Sequence, residues 1–303
     1  MSRILDGKLV RDRILDELKP RVEVLRAKGR APGLAVVLAG ENPASEIYVR
    51  NKVKACQELG IFSEKLTPPH SVTTVELLAV VESLNRRDEI DGILVQMPLP
   101  PQADSKQVLL AIDPLKDVDG FHPYNVGNLV AGNPGPRACT PAGIMELLRR
   151  NGIEIEGRRA VVVGRSDIVG KPMAMLLLHA HATVTICHSK TPDLAAVCRE
   201  ADLLVAAIGR PALIRGNFVK AGAVVVDVGM NRLGSRAEVE QVFGSSAAKL
   251  EEFEKKGSLL IGDVHPLELE HASAYTPVPG GVGPLTIAML MANTVAAAER
   301  RIG

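Results

Sequence analysis

The chain has 303 residues, and its 36 Lys and Arg nearly balance 35 Asp and Glu, for a formal net charge of +1. Because acids and bases are mixed along the chain, the composition argues against nucleic acid as the main partner. No apolar run reaches the roughly 18 residues that a membrane-spanning helix needs, so no membrane partner is expected. The length predicts about two domains, each long enough to bury a core.

The cysteine and histidine patterns favour neither a disulfide framework nor a metal site. The four cysteines are scattered without a C-x-x-C pair, and the seven histidines show no ligand spacing. The N-terminal segment becomes charged too early for a signal peptide. These features predict a protein of the reducing cytoplasm that binds no metal.

The first third of the chain alternates between helical and strand patterns. Apolar spacing predicts a helix over 6–28, which Pro20 should kink or break. The other elements predicted here are strands at 34–39, 61–66 and 92–97, and helices after Pro43, at 73–85 and at 104–112. This βαβαβ order predicts a small parallel sheet flanked by helices.

The rest of the chain predicts a second run of strands and helices. Segment 113–137 is rich in Pro, Gly and Asn with little periodicity, which indicates a domain junction. Thr140 is expected to cap a helix that ends at Arg150, with Pro141 at its first position. The later elements predicted are strands at 160–163, 183–187, 203–207, 223–228 and 259–261, helices at 173–179 and 285–300, and a helical surface excursion at 234–258.

Segment 160–173, AVVVGRSDIVGKPM, has the pattern of a strand, a glycine turn and a helix. Gly164 permits a sharp turn, Gly170 permits close backbone approach, and Pro172 suits the first turn of a helix. Such a turn directs free N–H groups at a phosphate. The spacing differs from G-x-G-x-x-G, so this turn taken alone also fits an ordinary strand-to-helix connection.

The next strand, 183–187, is followed by residues that favour NADP over NAD. An NAD-binding fold places an acidic residue near this point to hold the ribose 2′-hydroxyl, and here there is none. Arg165, Ser166, Ser189 and Lys190 instead offer positive charge and hydrogen-bond donors. Charge-assisted donors suit a 2′-phosphate, so NADP is the expected cofactor.

Three polar residues are candidates for chemistry in the first third. Tyr48 and Lys52 are four residues apart on one predicted helix and therefore share a face. Gln96 lies at the carboxyl end of an apolar strand, the edge that faces the ligand crevice in open parallel sheets. A glutamine there could hydrogen-bond both the lysine and a ligand. The alternatives are a surface Tyr/Lys pair and a loop-capping glutamine.

Two loops are further candidates. Asp117 and Asp119 place two carboxylates in the expected junction, where an Asx turn is the alternative, particularly for Asp117. The glycines of segment 279–284, PGGVGP, would expose backbone amides that can recognise a flat polar heterocycle. A simple linker or helix cap is the alternative for this loop.

Seven motifs occur in order along nearly the whole chain: ASEIYVRNKVKA, DGILVQMPLP, KDVDGFHP, CTPAG, VVVGRSDIVGKP, ATVTICHSKT and PVPGGVGPLTIAML. Together they resemble the bifunctional methylenetetrahydrofolate dehydrogenase/methenyltetrahydrofolate cyclohydrolase family of the bacterial FolD type. The resemblance implies oxidation of 5,10-methylenetetrahydrofolate to the 5,10-methenyl form with NADP⁺. It also implies hydrolysis of that product to 10-formyltetrahydrofolate in the same cleft, with tetrahydrofolate derivatives as partners.

The resemblance also implies roles for individual residues. Lys52 matches the essential lysine of the family, Tyr48 its partner tyrosine and Gln96 the glutamine that hydrogen-bonds the lysine. Asp119 matches the aspartate that holds the pterin. The remaining expected substrate contacts are Val95, Met97, Pro279, Gly280, Gly281, Val282 and Gly283. The expected NADP contacts are Gly164, Arg165, Ser166, Ser189 and Met230, the last where the family usually has isoleucine.

The fold class expected is α/β, with an N-terminal substrate lobe and a Rossmann-like NADP-binding lobe. The lobes are expected to comprise residues 1–121 plus 280–303, and residues 122–279, so that the final helix returns to the first lobe. The family further implies a homodimer. The long excursion at 234–258 and GDVHP in place of the usual GDVDF depart from the family pattern, which puts surface contacts in doubt.

Two other functions compete with this interpretation. A monofunctional NAD(P)-dependent dehydrogenase of another small substrate would explain a second lobe, but not the Tyr48, Lys52 and Gln96 set. A nucleotide-sensing module that has lost its chemistry would be expected to lack the lysine, and Lys52 is present.

Overall fold

A computed structural model describes residues 2–302 of the chain, apart from the side chains of residues 43, 44 and 302. The chain forms two compact units. One comprises Arg11–Cys139 with Thr286–Gly303, and the other comprises Met1–Val10 with Thr140–Leu285. We call the first the lysine unit and the second the glycine-turn unit.

The elements within the described residues are as follows, in chain order. The helices are α1 Gly7–Ala27, α2 Pro43–Leu59, α3 Thr74–Asn85, α4 Ser105–Leu110, α5 Pro123–Ala131, α6 Cys139–Arg150, α7 Gly170–His179, α8 Leu194–Cys198, α9 Arg236–Phe243, α10 Ala247–Lys256 and α11 Gly283–Ile302. The strands are β1 Arg3–Ile4, β2 Gly33–Val37, β3 Phe62–Leu66, β4 Gly92–Val95, β5 Arg159–Val163, β6 Thr183–Cys187, β7 Leu203–Ala206, β8 Val224–Asp227, β9 Asn231–Leu233, β10 Leu259–Ile261 and β11 Ala274–Tyr275.

The lysine unit has the predicted parallel sheet, in the order β3-β2-β4. All residues of β2 and β4 are buried, as expected for strands covered on both faces. Thr73 and Glu76 form a capping box that starts α3. The end of α11 joins this unit, where Arg21 donates two hydrogen bonds to Glu299. The return of the final helix to the substrate unit, expected from the family, is therefore present.

The structure adds detail to two local expectations for this unit. Helix α1 runs through Pro20 without a break, because burial of Ile14, Leu18 and Val22 outweighs the one hydrogen bond that proline removes. The junction at 113–137 contains α5, which His122 caps and Gly132 ends in a left-handed conformation. The Pro, Gly and Asn content of this stretch therefore marks the ends of a helix.

The glycine-turn unit contains an all-parallel sheet in the order β1-β11-β8-β7-β5-β6. Strands β5 to β8 were predicted. Strands β1 and β11 were not, because two residues are too few to produce a periodic pattern. Leu5 extends this pairing by donating to the Tyr275 carbonyl at 2.8 Å. The N-terminal residues thus belong to this sheet, and not to the substrate lobe as the sequence suggested.

The excursion at 234–258 forms α9 and α10. The strand expected at 259–261 is present as β10, but it pairs antiparallel with β9 and lies outside the parallel sheet. A small apolar cluster fills this region, with Leu233, Val239, Leu259 and Ile261 among its buried members. The excursion is therefore helical, as expected, and forms a folded appendage with its own core.

The compact units divide the chain at other positions than the expected 121/122 and 279/280. Segment 122–139 belongs with the lysine unit, because Asn125 donates to the Pro114 carbonyl and to Asp117. Helix α6 begins at Cys139, one residue before the expected cap Thr140. No helix within residues 2–302 is long and apolar enough to span a membrane.

Candidate active site

Lys52 and Gln96 form a direct hydrogen bond in the lysine unit. Lys52 lies on α2 with only 8 % of its surface exposed, and its Nζ donates to Gln96 Oε1 at 3.0 Å. Gln96 follows β4, and its Nε2 donates to the Met97 carbonyl at 2.8 Å. Because the Met97 carbonyl takes the amide nitrogen, the amide oxygen of Gln96 faces the lysine. The bond suggested by the sequence is therefore present in a fixed orientation.

Tyr48 lies one helical turn before Lys52 and is 39 % exposed. Partial burial raises the pKa of its phenol above the ordinary value of 10.0. Tyr48 is therefore neutral near pH 7, where its hydroxyl can donate or accept a hydrogen bond without adding charge.

Asp119 is a carboxyl group that titrates close to neutrality. Burial raises its pKa from 3.8 to about 6; the nearby Lys52 ammonium lowers it, and Asp117 raises it further. Asp119 and Lys52 are thus electrostatically coupled, although they are 67 positions apart in the sequence. The site combines one cation, one acid of near-neutral pKa, one amide and one phenol.

Asp117 has a different role from Asp119. Its side chain is buried and accepts hydrogen bonds from the Gly120 and His122 backbone amides and from Asn125 Nδ2, at 3.0, 2.8 and 2.9 Å. These contacts form the Asx-type turn that the sequence offered as the alternative. Asp117 therefore holds the loop that carries Asp119.

Sequence reasoning missed three residues that fix the same loop. Asn293 on α11 donates to the Val118 carbonyl at 2.8 Å, and the Cys139 thiol donates to the same oxygen at 3.3 Å. Buried Lys116 donates to three carbonyls at and beyond the end of α3, at 2.7 to 3.1 Å. The one signal in the sequence was Asn293, a polar residue in a mostly apolar helix. The sequence does not show which group this asparagine contacts.

The glycine turn of the other unit brings backbone atoms into close approach. Gly164 has φ of +128°, and a Cβ there would lie 2.1 Å from the Ala207 carbonyl oxygen. A Cβ on Gly170 would lie 2.2 Å from the Gly164 carbonyl oxygen. The Ser166 hydroxyl accepts the Val169 and Gly170 amides, both at 3.2 Å. Both glycines are therefore required by the packing of this turn.

A cleft of about 590 Å³ opens at this turn. Its lining includes four of the five expected cofactor residues, Gly164, Arg165, Ser166 and Ser189, and no acidic side chain. Its other members are Val163, His188, Leu194, Ala207, Ile208, Arg210 and Leu213. Two arginines, hydroxyl groups and a glycine turn before a helix fit a dinucleotide with an extra phosphate. The residues present therefore fit NADP.

The glycine loop expected to contact folate also lies in the glycine-turn unit. Gly280 has φ of +108°, and the Gly281 amide donates to the Pro277 carbonyl at 2.8 Å. Gly281 and Val282 are buried. The expectation that both glycines present free amides is therefore wrong for Gly281. Met230 is 44 % exposed, and its Sδ would lie 3.4 Å from a Cβ at Gly283, so the expected cofactor and folate residues approach each other here.

Residues 2–302 contain no group of three or more His, Cys, Asp or Glu side chains that could hold a metal ion. The four cysteines, Cys56, Cys139, Cys187 and Cys198, are free and buried.

The parallel nucleotide-binding sheet and the buried lysine site define an NAD(P)-dependent α/β enzyme. Two family profiles match the chain: the NAD(P)-binding domain of tetrahydrofolate dehydrogenase/cyclohydrolase over residues 138–302, and its catalytic domain over residues 5–119. The chain belongs to the tetrahydrofolate dehydrogenase/cyclohydrolase family. It is an NADP-dependent methylenetetrahydrofolate dehydrogenase and a methenyltetrahydrofolate cyclohydrolase.

Relatives similar over their whole length support this membership. The chain is 68 % identical to the bifunctional protein FolD of Solibacter usitatus, with 100 % of this chain and 99 % of the relative covered. It is 64 % identical to the FolD protein of Koribacter versatilis at the same coverage. These identities confirm the family recognised in the sequence.

Solved structures agree with the fold. The bifunctional FolD enzyme from Campylobacter jejuni is 45 % identical, with a TM-score of 0.90 and coverage of 99 % of this chain and 100 % of that one. The FolD enzyme of Trypanosoma brucei, solved with NADP and an inhibitor, is 39 % identical, with a TM-score of 0.88 and coverage of 99 % and 98 %. The expected fold class and cofactor are thereby confirmed.

Proposed function

We propose that Lys52 is the acid/base or electrostatic centre of both reactions, oriented by Gln96 and assisted by Tyr48 and Asp119. The observation that carries this proposal is the 3.0 Å hydrogen bond that holds a nearly buried ammonium against a fixed amide oxygen. A buried cation with only one amide partner is costly unless other groups stabilise it. The Asp119 carboxylate and a bound polar substrate supply that stabilisation.

The hydrolysis needs a group that accepts and returns a proton. Water adds to the methenyl carbon of the cationic substrate and forms a C–O bond, which releases one proton. The bond from that carbon to N5 then breaks as N5 takes up a proton, and the added hydroxyl loses its remaining proton to become the formyl carbonyl of 10-formyltetrahydrofolate, so that the hydrolysis releases one proton in total. We assign Lys52 to move or stabilise this proton, and Gln96 to hold Lys52 at the reacting carbon.

The oxidation depends mainly on positioning. NADP⁺ supplies the hydride acceptor when it is bound. We assign Asp119, Val95 and Met97 to hold the reduced pterin in the lysine unit. Arg165 and Ser189 are assigned to the 2′-phosphate of the cofactor, and the turn from Gly164 to the start of α7 to its pyrophosphate.

A two-stage spectrophotometric assay tests this proposal. The purified chain is mixed with 5,10-methylenetetrahydrofolate and NADP⁺, and the absorbance of the methenyl product is followed as it accumulates and decays. We expect both phases, with a much slower first phase when NAD⁺ replaces NADP⁺. Accumulation without decay above the spontaneous rate would contradict the hydrolytic role of the site, and the absence of both phases would contradict the whole assignment.

We further propose that the protein is a homodimer that uses the open edge of its six-stranded sheet. Strand β6 ends the sheet order, and Ile186 on it is exposed, as are Ile168 and Leu178 in neighbouring segments. An uncovered strand edge with apolar neighbours favours pairing with a second chain. Light scattering should give twice the chain mass for the wild type and a lower mass for Ile186→Lys, and a monomeric wild type would contradict the proposal.

We also propose that the protein works in the cytoplasm. All four cysteines are free and buried, and burial raises the pKa of the Cys56 and Cys198 thiols to about 12. Thiols held in this state suit a reducing compartment. Cell fractionation tests this point, and recovery of the protein outside the cytoplasmic fraction would contradict it.

A further inference from the structure

Arg210 is a second arginine in the cofactor cleft, and neither the sequence motifs nor the expected contacts identified it. It follows β7, is exposed and lines the cleft together with Arg165. Within residues 2–302 its guanidinium has no hydrogen-bond or ion-pair partner in the protein. Some exposed arginines outside the cleft do pair with acids, as Arg215 does with Glu268 at 2.9 Å. Arg210 therefore presents an uncompensated cation to the cleft.

The backbone of Arg210 is held by a buried carboxylate. Asp263 has no exposed surface, and its Oδ2 accepts the amides of Ile208 and Gly209 at 2.6 and 2.9 Å. Its Oδ1 accepts the Arg210 amide at 2.9 Å and the Asn231 side chain at 2.9 Å. Three consecutive backbone amides of the cleft loop thus donate to one side chain, which lies 53 positions after Arg210 in the sequence.

Backbone contacts hold the rest of this loop. The Ala212 amide donates to the Gly262 carbonyl at 3.0 Å, and the Ile214 amide donates to the Asp263 carbonyl at 2.9 Å. Ala212 has φ of +49°, a conformation that costs energy for a residue with a Cβ. Such strain persists only where the surrounding contacts over-determine it, and it is commonly found at functional sites. The loop is therefore a rigid support for the Arg210 side chain.

The strand order decides which phosphate Arg210 can reach. Strand β5, which leads into the glycine turn, lies between β6 and β7. Ser189 follows β6, and Arg210 follows β7, so the two residues lie on opposite sides of the turn. A 2′-phosphate bound by Ser189 is therefore on the far side from Arg210. The group bound at the turn itself, before α7, is the pyrophosphate.

We propose that Arg210 binds the cofactor pyrophosphate and that Asp263 is the positioning residue that holds Arg210 there. The inference rests on the assignment of this cleft to NADP. An arginine adds charge-assisted hydrogen bonds to phosphate oxygens, and a pre-organised loop reduces the entropy lost on binding. Both NAD and NADP carry the pyrophosphate, so Arg210 contributes to affinity without selecting between them.

Direct binding measurements on the full chain test the proposal. NADPH and NADH affinities are measured from nucleotide fluorescence, and the affinity for adenosine 2′-monophosphate by calorimetry. We expect Arg210→Gln to weaken NADPH and NADH equally, roughly tenfold or about 1.4 kcal/mol each, and to leave the monophosphate unchanged. Arg215→Gln, an arginine outside the cleft, is the matched control and should bind all three like the wild type.

A second variant tests the proposed contacts to the 2′-phosphate independently of the proposal for Arg210. The double substitution Arg165→Gln/Ser189→Ala should weaken NADPH and the monophosphate while leaving NADH unchanged. If it does not, the proposed 2′-phosphate contacts fail, but the Arg210 inference stands. If Arg210→Gln binds NADPH like the wild type, or loses the monophosphate, the inference is overturned.

The positioning role of Asp263 is tested by comparing the dinucleotide affinities of single and double variants. Asp263→Asn should reproduce the loss of Arg210→Gln for both dinucleotides, and the two changes combined should cost no more than one alone. Additive losses would mean that Asp263 acts independently of Arg210 and would overturn its assignment. If Asp263→Asn does not fold, Asn231→Leu, which removes one partner of Asp263, replaces it in the same cycle.

Discussion

Replacing Lys52 with methionine is expected to lower the cyclohydrolase rate constant by roughly 10²- to 10⁴-fold, the range typical of a lost acid/base group. Methionine keeps the length and apolar stem of the side chain and removes the ammonium that donates to Gln96. The decay of the methenyl absorbance measures the effect directly. The dehydrogenase should lose less, because its chemistry depends mainly on positioning.

A neighbouring lysine provides the control for this change. Lys54 lies on the same helix, is largely exposed and pairs with Glu58 at 3.6 Å, so Lys54→Met should leave both activities intact. Lys52→Arg tests the role of charge, since an arginine keeps the cation but does not release its proton. Unchanged hydrolysis in Lys52→Met would reject the proposed role.

Replacing Asp119 with asparagine should raise the KM for the folate substrate roughly 10- to 100-fold, as expected when a charged hydrogen-bond acceptor is lost. The substitution should also remove the dependence of this KM on pH. The pKa of Asp119 is about 6, so the carboxylate that we assign to the pterin is present above that pH. Wild-type KM should therefore fall as pH rises through about 6, whereas the variant should show no such change. Steady-state kinetics between pH 5 and 8 measure both effects.

The raised pKa of Asp119 also predicts how Asp119→Asn affects the stability of the fold. This prediction distinguishes a loss of substrate binding from a loss of folding. The folded-state pKa lies above the ordinary value of 3.8, so folding favours the protonated form. The contribution of Asp119 to stability is complete below pH 3.8 and is lost as pH rises through about 6. Asp119→Asn should therefore unfold at the same or a higher temperature than the wild type at pH 7. A near-normal KM in the variant, or a lower melting temperature that accounts for the lost activity, would count against the proposed role.

The elements predicted correctly are those with a strong local signal. Strand β6 was expected at 183–187 and is found there, and the other long apolar strands differ from expectation by one or two residues. Helix α3 carries a capping box that can be read from Thr73 and Glu76 alone. In these segments apolar spacing, turn residues and caps agree, so local propensity and tertiary packing favour the same structure.

The elements that were missed depend on distant partners. Strands β1 and β11 are two residues long and exist because they pair with each other and with β8. The excursion after β9 was expected to be helical and is, but the small apolar cluster that its helices cover with the β9–β10 ribbon was not predicted. Neither property is encoded within a short window of sequence.

The sequence by itself determined the family, the two activities and the cofactor, because the motifs that carry them are long and occur in order along the chain. It also pointed to Lys52, Gln96 and Asp119. Only the tertiary structure decided that the Lys52 ammonium meets Gln96 across 44 positions, that Asp117 holds a turn while Asp119 titrates near neutrality, and that Asp263 holds the loop of Arg210. Hydrogen bonds and desolvation depend on which atoms surround a side chain in space, and those neighbours come from distant parts of the chain.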